Sequence, residues 1–295
     1  MKSNLLMRIA AHQSKFSKGQ RAIAHYLADH YEEAAYMTAF QLGETVGVSE
    51  STVVRFAAEI GFEGYPELQK AVRELVRSRL TTLKRIELTR ARMTDDEVFE
   101  SVMQSDINNV RQTLDSLPRE VFDAAVNDIV SARRVYVFGA GSCRALANFL
   151  NYYLKLLMSN VHLIYTSSSA EIFEEMIDVD EDDVVIGISF PRYSSKAVMA
   201  LDFAHSRNAK VIAITDSQLS PISDYADHLL LAHSDLATVV DSLVAPLSII
   251  NALIVAISLK KLDEKRETLE TLEDIWTRYE VYQALPDVPH EDDHA

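Results

Sequence analysis

The stretch TAFQLGETVGVSESTVVRFAAEIGFEGYPEL, residues 38–68, has the clearest local pattern in the chain. Its first part repeats apolar residues at helical spacing, and Gly47 then interrupts the repeat, as glycines do at helix ends. Ser49 follows as an N-cap residue type for a second helix, which Gly61 would end. The stretch therefore predicts two short helices joined by a tight turn.

The second predicted helix has two faces of different character. Four apolar residues recur at helical spacing and should face a core: Val53, Phe56, Ala57 and Ile60. Ser51, Arg55 and Glu59 fall on the opposite face, with Thr52 beside them. A recognition helix needs this division, because one face docks on a partner helix while hydroxyls and an Arg meet base edges and phosphates. We therefore predict a helix-turn-helix, although an ordinary helical hairpin with a solvated outer face would show the same pattern.

The run VSESTVVRFAAEIGFEGYPEL (48–68) resembles the N-terminal helix-turn-helix of the RpiR/MurR family of regulators. The signature of that family has Ser-x-x-Thr-Val-x-Arg-Phe, then Gly-Phe-x-Gly-Tyr and a Leu, all of which are present here. The resemblance implies that Ser51, Thr52 and Arg55 contact bases or phosphates. The full set of expected DNA-binding residues is Ser49, Ser51, Thr52 and Arg55, with Lys15 and Lys18, just before an earlier helix, as phosphate contacts.

From about residue 131 the sequence changes to short apolar runs rich in β-branched residues, separated by helical segments. The runs are 135–138, 161–165, 184–188 and 211–214, with a weaker one at 228–231. Near-continuous apolar strands that alternate with helices indicate a parallel sheet covered on both faces. We therefore predict an all-α N-terminal domain followed by an α/β domain, with a doubly wound parallel sheet of about five strands.

The loop after the first predicted strand, Gly139-Ala140-Gly141-Ser142-Cys143-Arg144, opens a helix whose backbone N–H groups would attract an anion. It does not complete a dinucleotide motif, because Arg144 stands at the third glycine position. The second strand ends in Thr166-Ser167-Ser168-Ser169 and offers no acid for a ribose. We therefore predict no NAD and no other cofactor, and we assign the hydroxyls to a phosphate.

Hydroxyls and cations gather again after the third predicted strand, at 189–196, where Arg192 could clamp a phosphate with two hydrogen bonds. Ordinary helix caps would explain any one of the three loops, but parallel strands bring all three to one edge of the sheet, where ligands bind. The predicted phosphate-binding residues are Gly141, Ser142, Cys143, Arg144, Ser167, Ser168, Ser189, Arg192, Ser194 and Ser195.

Residues 131–260 resemble the SIS (sugar isomerase) domain, which binds phosphosugars. That domain has a Ser in its first loop and an S-x-S-G-x-T/S loop after its third strand. Ser189 and Ser194 match the first and last hydroxyls of the second loop, whereas Pro191-Arg192 replaces its central Ser-Gly. Cys143 occupies the position of the first-loop Ser. A helix-turn-helix followed by a SIS domain is again the order found in the RpiR family.

The charge distribution agrees with a division into two domains. Net charge is −15, yet residues 1–92 carry +4 while residues 93–295 carry −19, an asymmetry that favours a nucleic-acid reader at the N-terminus. The positive excess is small, so a local patch would have to meet the DNA. The expected parts are the helix-turn-helix domain at 1–78, a helical linker at 79–130, the SIS domain at 131–260, and a C-terminal helix with an acidic tail at 261–295.

The remaining composition is typical of a cytoplasmic globular protein. Cys143 is the one cysteine, which excludes an internal disulfide and fits a reducing compartment. The N-terminus has no long apolar run before a cleavage site, so no signal peptide is expected. The apolar stretch 243–259 is short and interrupted by polar residues, so we expect a buried helix and no membrane partner. No metal is expected, because no group of His, Cys and carboxylates has ligand spacing.

Together the resemblances imply a transcription regulator whose operator affinity is controlled by a phosphorylated sugar bound in the SIS domain. Because operators are read as paired half-sites, we expect a homo-oligomer, either a dimer or a tetramer. Two alternatives remain: a sugar-phosphate isomerase-like enzyme, and a phosphosugar-sensing adaptor that does not bind DNA. An isomerase needs a positioned base, and the histidines and helix-start glutamates near the predicted strands form no acid–base pair, so no catalytic residue is predicted.

Overall fold

The computed structural model describes residues 5–92, 94–166, 168–234 and 240–283. The N-terminal part is all α-helical: α1 (Leu5–His12), α2 (Lys18–Asp29), α3 (Tyr31–Ala34), α4 (Ala39–Val46), α5 (Glu50–Glu59) and α6 (Tyr65–Arg79), with a 3₁₀ turn at Gln13–Lys15. A single apolar cluster holds these helices together, and in it the ring centroids of Phe16 and Phe56 lie 5.3 Å apart. The four core positions predicted for α5 are all buried, which confirms its two-faced pattern.

Capping residues set where two of these helices begin. Ser17 caps α2 and Thr38 caps α4, and each is reciprocated by a glutamine three residues later, Gln20 and Gln41. Such a capping box satisfies two backbone N–H groups that the first turn of a helix leaves without partners. The start of the helix that precedes the recognition helix is therefore specified locally.

Three helices connect the two parts: α7 (Thr82–Arg92), α8 (Val98–Ser116) and α9 (Arg119–Ser131), with a 3₁₀ turn at Asp95–Glu97. Ala125, Val126 and Ile129 of α9 are buried in the core of the α/β part. Within the predicted linker, α8 and α9 thus pack with the sheet domain, while α7 directly follows the helical N-terminal part.

The C-terminal part is built on a five-stranded parallel sheet, as predicted. Its strands are β1 (Val135–Gly139), β2 (Val161–Leu163), β3 (Val184–Ile188), β4 (Lys210–Thr215) and β5 (His228–Leu231). They lie in the order β2-β1-β3-β4-β5, with all neighbours parallel. The order in which strands are added to the sheet reverses after β2: β2 lies on one side of β1, and β3, β4 and β5 lie on the other. In open α/β sheets ligands bind at such a switch point, which here lies between β1 and β3.

Helices cover both faces of the sheet, which confirms the doubly wound α/β fold. They are α10 (Cys143–Leu157), α11 (Ser169–Glu175), α12 (Ser195–Ser206) and α13 (Val244–Arg278). Along β1, Val135 and Val137 pack into the core formed with α9, α10 and α13, whereas Tyr136 and Phe138 pack into the core with α11 and α12. Because successive side chains of a strand point to opposite faces and both faces are covered, every position of the central strands β1 and β3 is buried.

Helix α13 is longer than the apolar stretch alone predicts, since it runs without a break from Val244 to Arg278. Among the described residues it is the one helix long and apolar enough to cross a membrane by length and composition. Its first half buries Ile249, Ile250 and Leu253 in the core that covers the sheet, as a core helix of a globular domain does. The acidic end predicted at 286–295 lies outside the described residues.

Candidate functional site

The turn between α4 and α5 has the geometry of a helix-turn-helix. Gly47 adopts a left-handed conformation with φ of 78°, and the backbone N–H of Val48 donates to the carbonyl of Gly43 at 2.8 Å. A Cβ atom at Gly43 would lie 2.8 Å from the Val48 carbonyl oxygen, so the two helices approach closely only because this residue has no side chain. Ser49 then caps α5 by accepting from the backbone N–H of Thr52 at 3.3 Å.

The start of α5 presents its polar side chains outward. Ser49, Ser51 and Arg55 are exposed and Thr52 is half-buried. The Ser49 hydroxyl lies 2.9 Å from the hydroxyls of both Ser51 and Thr52, and Arg55 Nε donates to the Ser51 carbonyl at 3.2 Å. Three hydroxyls and one guanidinium therefore share the exposed side of the helix start. That these four residues contact DNA stays a prediction.

The two predicted lysines lie on the preceding elements. Lys15 ends the 3₁₀ turn and Lys18 is the first residue of α2, and both are exposed. Gly19, the neighbour of Lys18, approaches the recognition helix: a Cβ atom there would lie 3.1 Å from Val48 Cγ1 and 3.5 Å from Thr52 Cγ2. The start of α2, which carries Lys18, thus lies beside the start of α5, while a phosphate contact of Lys18 stays a prediction.

A cavity of about 710 Å³ opens at the carboxyl edge of the sheet, at the switch point between β1 and β3. Its walls come from the loop after β1, the loop after β3, the linker helix α7 and the segment before α13. Eight of the ten predicted phosphate-binding residues line it: Gly141, Ser142, Cys143, Arg144, Ser189, Arg192, Ser194 and Ser195. The two strand-end loops therefore meet as the sequence predicts, while phosphate binding by these residues stays a prediction.

The loop after β1 delivers the start of α10 to the cavity. Gly141 has a φ of 60°, in the left-handed region, and lets the chain turn sharply from the strand into the helix. Cys143, at the start of α10, is buried. Burial raises the pKa of its thiol, against hydrogen bonds with Phe190 and Ser142 that lower it. Cys143 is therefore a neutral thiol at pH 7 and a weaker hydrogen-bonding group than the serine found in the SIS pattern.

The loop after β3 is held by its own hydroxyls. Ser189 is buried and its hydroxyl accepts from the backbone N–H of Ser194 at 3.3 Å. Ser194 in turn caps α12 by accepting from the backbone N–H of Lys196 at 3.2 Å. Arg192, between them, has a φ of 65° and donates from Nη1 to the Thr82 hydroxyl on α7 at 3.1 Å. The loop that should hold a phosphate thus touches the linker helix.

The second strand contributes less than predicted. Ser168 occupies the N-cap position of α11 without a side-chain capping hydrogen bond and is not among the described residues that line the cavity, and Ser167 lies outside the described residues. Thr166 lines the cavity in their place. The guanidinium of Arg144 lies 5.0 Å from the ring centroid of Tyr165, next to Thr166. The guanidinium of Arg144, at the end of the loop after β1, is therefore stacked against the segment that follows β2.

Sequence reasoning missed an ion pair at the cavity wall. Arg85, on α7, is 4% exposed and donates from Nη1 to Asp241 Oδ1 at 2.9 Å, across 156 residues of sequence. Both residues line the cavity, as do Tyr193 and Lys196 from the β3 loop. A charge alternation within the linker does not reveal which of its arginines turns inward, so no local signal could have identified Arg85.

A second polar network joins α6 to the sheet domain beside this cavity. The Ser217 hydroxyl donates to Glu74 Oε1 at 2.7 Å, and Arg77 Nη1 lies 3.5 Å from Asp216 Oδ2. Tyr193, from the β3 loop, donates to Asp216 Oδ1 at 2.8 Å. The last helix of the DNA-reading half is thus connected to the loop that lines the cavity.

The cavity has the chemistry of an anion site. Arg85, Arg144, Arg192 and Lys196 line it, against one acidic residue among the described lining residues, Asp241. The half-buried His228 lies away from this lining, with its Nε2 2.7 Å from Asp128 Oδ2, and no group of three potential metal ligands occurs among the described residues. Hydroxyls, backbone N–H groups and guanidinium groups together suit a phosphate ester.

The fold and the two sites define a class of protein that joins a helix-turn-helix to an α/β domain with a cationic cavity at the carboxyl edge of its sheet. The pattern of the helix-turn-helix domain of the rpiR family matches residues 3–78, and the pattern of the SIS domain matches residues 128–256. The chain belongs to the RpiR family of helix-turn-helix transcriptional regulators that carry a SIS domain.

Its relatives are transcriptional regulators. The HTH-type regulator HexR of Pseudomonas aeruginosa is 26% identical over 72% of this chain and 73% of its own length. YfhH of Escherichia coli is 25% identical over 77% of this chain and 80% of its own length. An HTH-type regulator of Haemophilus influenzae is 24% identical over 77% of this chain and 79% of its own length.

Two solved structures have the same fold. The sugar isomerase domain of an RpiR transcription factor from Sphaerobacter thermophilus has a TM-score of 0.57 and 29% identity, and covers 60% of this chain and 99% of its own. The Vibrio vulnificus NanR protein complexed with ManNAc-6P has a TM-score of 0.56 and 18% identity, and covers 92% of this chain and 99% of its own. The second likeness extends over both parts of the chain.

Proposed function

We propose that this regulator binds operator DNA through the start of α5 and that a phosphorylated sugar in the cavity between the β1 and β3 loops controls its affinity. The observation that carries the proposal is the cavity itself, because its cationic, hydroxyl-rich wall is shared with the helix that leaves the DNA-reading half. A volume of about 710 Å³ lies in the range of small-molecule sites. The likeness to NanR, whose structure contains ManNAc-6P, supports a phosphosugar as the class of ligand.

The DNA-binding part of the proposal assigns roles along α5. Arg55 reads a base edge or a phosphate, while Ser49, Ser51 and Thr52 bind phosphates or base edges at the helix start. Lys18, beside that start, adds a phosphate contact, and Lys15 adds another on the preceding turn. The N-terminal net charge of +4 is small, so the proposed contact depends on these individual cations and hydroxyls at the helix start.

We propose that the active form is a dimer or tetramer in the cytoplasm, because one α5 reads only one half-site. The first half of α13 covers the sheet, so its buried face is not a free interface. Its outer side keeps Val255, Leu259 and Leu262 exposed, which suits a contact between copies. A second copy would then set the distance between two reading helices.

We propose no catalytic role for the cavity. The one acidic residue among its described lining is Asp241, and Arg85 holds it as an ion pair. A base for sugar isomerisation must reach a carbon-bound proton and must be poised near neutral pH. Regulators among the relatives agree with a binding role.

One experiment tests both halves of the proposal. An operator is first selected from random duplexes by the wild-type protein, and its affinity is then measured by fluorescence anisotropy with and without glucose 6-phosphate, fructose 6-phosphate and N-acetylmannosamine 6-phosphate. We expect Arg55→Ala to lose about 1–3 kcal/mol of specific binding. We expect one phosphorylated sugar to change wild-type affinity by about 5–150-fold, and its unphosphorylated form to have no effect.

Arg119→Ala is the matched control, because it removes the same charge from an exposed site on α9, far from α5. Its operator affinity should stay close to that of the wild type. Equal losses in the two variants would contradict a reading role for Arg55. An operator affinity unchanged by every sugar phosphate tried would contradict control through the cavity.

A further inference from the structure

Arg85 occupies an unusual position for a linker residue. It belongs to α7, which follows the DNA-reading half, yet its side chain is 3% exposed and lines the cavity of the sheet domain. Buried arginines are rare unless they are paired, because removing a guanidinium from water is costly. A side chain placed in this way needs a partner in the cavity wall or in the cavity.

The pairing of Arg85 is incomplete. Its Nη1 donates to Asp241 at 2.9 Å and its Nη2 donates to the carbonyl of Arg77 at 3.4 Å, a long contact. Its Nε is buried and meets no hydrogen-bond acceptor in the described part of the chain. A guanidinium offers five N–H donors in a planar fork, and an oxyanion with several oxygens could satisfy the ones that Asp241 leaves.

Asp241 lies where an anionic ligand in the cavity would displace it from Arg85. Its carboxylate lines the same cavity and is 14% exposed at the side chain, so an anion that enters would lie near it and be repelled by it. A phosphate monoester carries more negative charge and more acceptor oxygens than a carboxylate. It would therefore compete for the guanidinium and displace the aspartate.

We propose that Arg85, a residue of the linker helix α7, binds the effector: the phosphate of the effector displaces the Asp241 carboxylate and accepts hydrogen bonds from the Arg85 guanidinium. The inference rests on the proposed function, since it names how the ligand of that cavity is sensed. The same ligand would meet Arg192, whose Nη1 contacts Thr82 on α7. Both contacts of the phosphate would then act on the helix that follows the DNA-reading half.

This exchange gives the ligand a route to the reading helix. The Arg85 guanidinium contacts both Asp241 and the backbone carbonyl of Arg77, which lies in the last turn of α6. A phosphate that draws Arg85 into the cavity changes this contact and frees the segment that carries Asp241. A ligand changes DNA affinity only if it binds two arrangements differently, and this ion pair distinguishes them.

The test uses the full-length protein and isothermal titration with the sugar phosphate of the panel above that binds tightest, and with inorganic phosphate as a second probe. Arg85→Met should weaken binding roughly tenfold or more, since it removes charged hydrogen bonds. Asp241→Asn should tighten binding, because it removes a competing anion and leaves Arg85 available. Arg85→Lys should fall between wild type and Arg85→Met.

Lys84→Met is the matched control, because Lys84 is the exposed neighbour of Arg85 on α7, pairs with Glu87 and does not line the cavity. Opposite shifts in the two ion-pair variants would support the proposal, since a merely structural pair would weaken binding from either side. Shifts in the same direction, or equal affinities of Arg85→Met and Lys84→Met, would overturn it while leaving the proposed function intact. If Arg85→Met does not fold, Arg85→Lys and Asp241→Asn decide. A wild-type protein that binds neither the sugar phosphates nor inorganic phosphate would overturn both.

Discussion

Gly187, in the middle of β3, decides how closely helix α12 approaches the sheet. A Cβ atom at this position would lie 2.3 Å from Leu201 Cδ1 and 2.7 Å from Leu201 Cδ2. Leu201 is fully buried, so its side chain has no open space to move into. The glycine thus sets the distance between the strand and the helix that begins at the β3 loop of the cavity.

We expect Gly187→Ala to lower the free energy of unfolding by about 1–3 kcal/mol through overpacking. Leu201→Ala alone should lower it by about 2–5 kcal/mol through a cavity. In the double variant the new methyl enters the space that Leu201 vacates, so the combined loss should be smaller than the sum by about 1 kcal/mol or more. Urea denaturation of the four proteins measures the coupling, and strictly additive losses would contradict the close contact.

At this scale the sequence predicts residue types better than partners. Ser189 and Ser194 could be placed at the cavity because parallel strands bring the loops that follow them to one edge of the sheet. Arg85 could not, because its partner Asp241 is 156 residues away and only the packing of α7 brings them together. Ser168 is predicted as a ligand, but it lies at the N-cap position of α11 and is not among the described residues that line the cavity, so its role as a ligand stays a prediction.

Among the elements, the turn between α4 and α5 depends on two glycines for different reasons. Gly43 has backbone atoms against it, with the Val48 carbonyl oxygen 2.8 Å and the Glu50 nitrogen 3.3 Å from an added Cβ. Gly47 has nothing within 4 Å of an added Cβ but adopts a φ of 78°. The first residue fixes how the helices cross, and the second allows the chain to turn.

We therefore expect the two alanine variants to separate stability from DNA binding. Gly43→Ala should cost about 1–3 kcal/mol of stability and should also weaken operator binding, because α5 must move away from α4. Gly47→Ala should cost about 1 kcal/mol through its left-handed conformation, while the folded protein keeps near-normal operator affinity. Thermal melts and anisotropy on both variants test this, and normal operator binding by Gly43→Ala would argue against the close crossing.

The predicted helices and strands match the structure where the apolar periodicity is strong. They are too short where charged residues interrupt the apolar pattern. The five strands and the helices between them follow from apolar runs of the right length. Helix α13 was predicted as an apolar helix followed by a separate charged one, but the chain continues without a break to Arg278. Ion pairs such as that between Lys261 Nζ and Glu264 Oε2, 2.7 Å apart, stabilise the charged second half of the helix.

Across the whole molecule, a buried polar cluster joins the DNA-reading half to the sheet domain. Burial raises the pKa of Glu74, and Asp216 raises it further, against a hydrogen bond from Ser217 that lowers it. Burial also raises the pKa of Asp216, although Arg77 and Tyr193 act in the opposite direction. The contact between the two domains therefore contains two carboxyl groups, Glu74 and Asp216, whose ionisation is disfavoured by burial.

The direction of these shifts fixes the pH dependence. A carboxyl whose pKa is raised on folding contributes stability that is full below about pH 4 and is lost as the pH rises through its raised pKa. Asp183 has the opposite sign: hydrogen bonds from Arg133 and Arg134 outweigh burial and lower its pKa, so its contribution is lost on acidification. Stability of the wild type alone therefore mixes both effects, and only a difference between variants isolates the interdomain contact.

Glu74→Gln provides that difference, because glutamine keeps a hydrogen-bonding group for Ser217 but stays neutral at every pH. We expect this variant to become more stable relative to wild type as the pH rises from 5 to 8, with a larger free energy of unfolding, since only the wild type must then bury a charge. Urea denaturation at a series of pH values measures it. Glu270→Gln, an exposed acid on α13, should show a flat difference. A flat or declining difference for Glu74→Gln would mean that its carboxylate is well solvated, and that the two domains are not held together at this point.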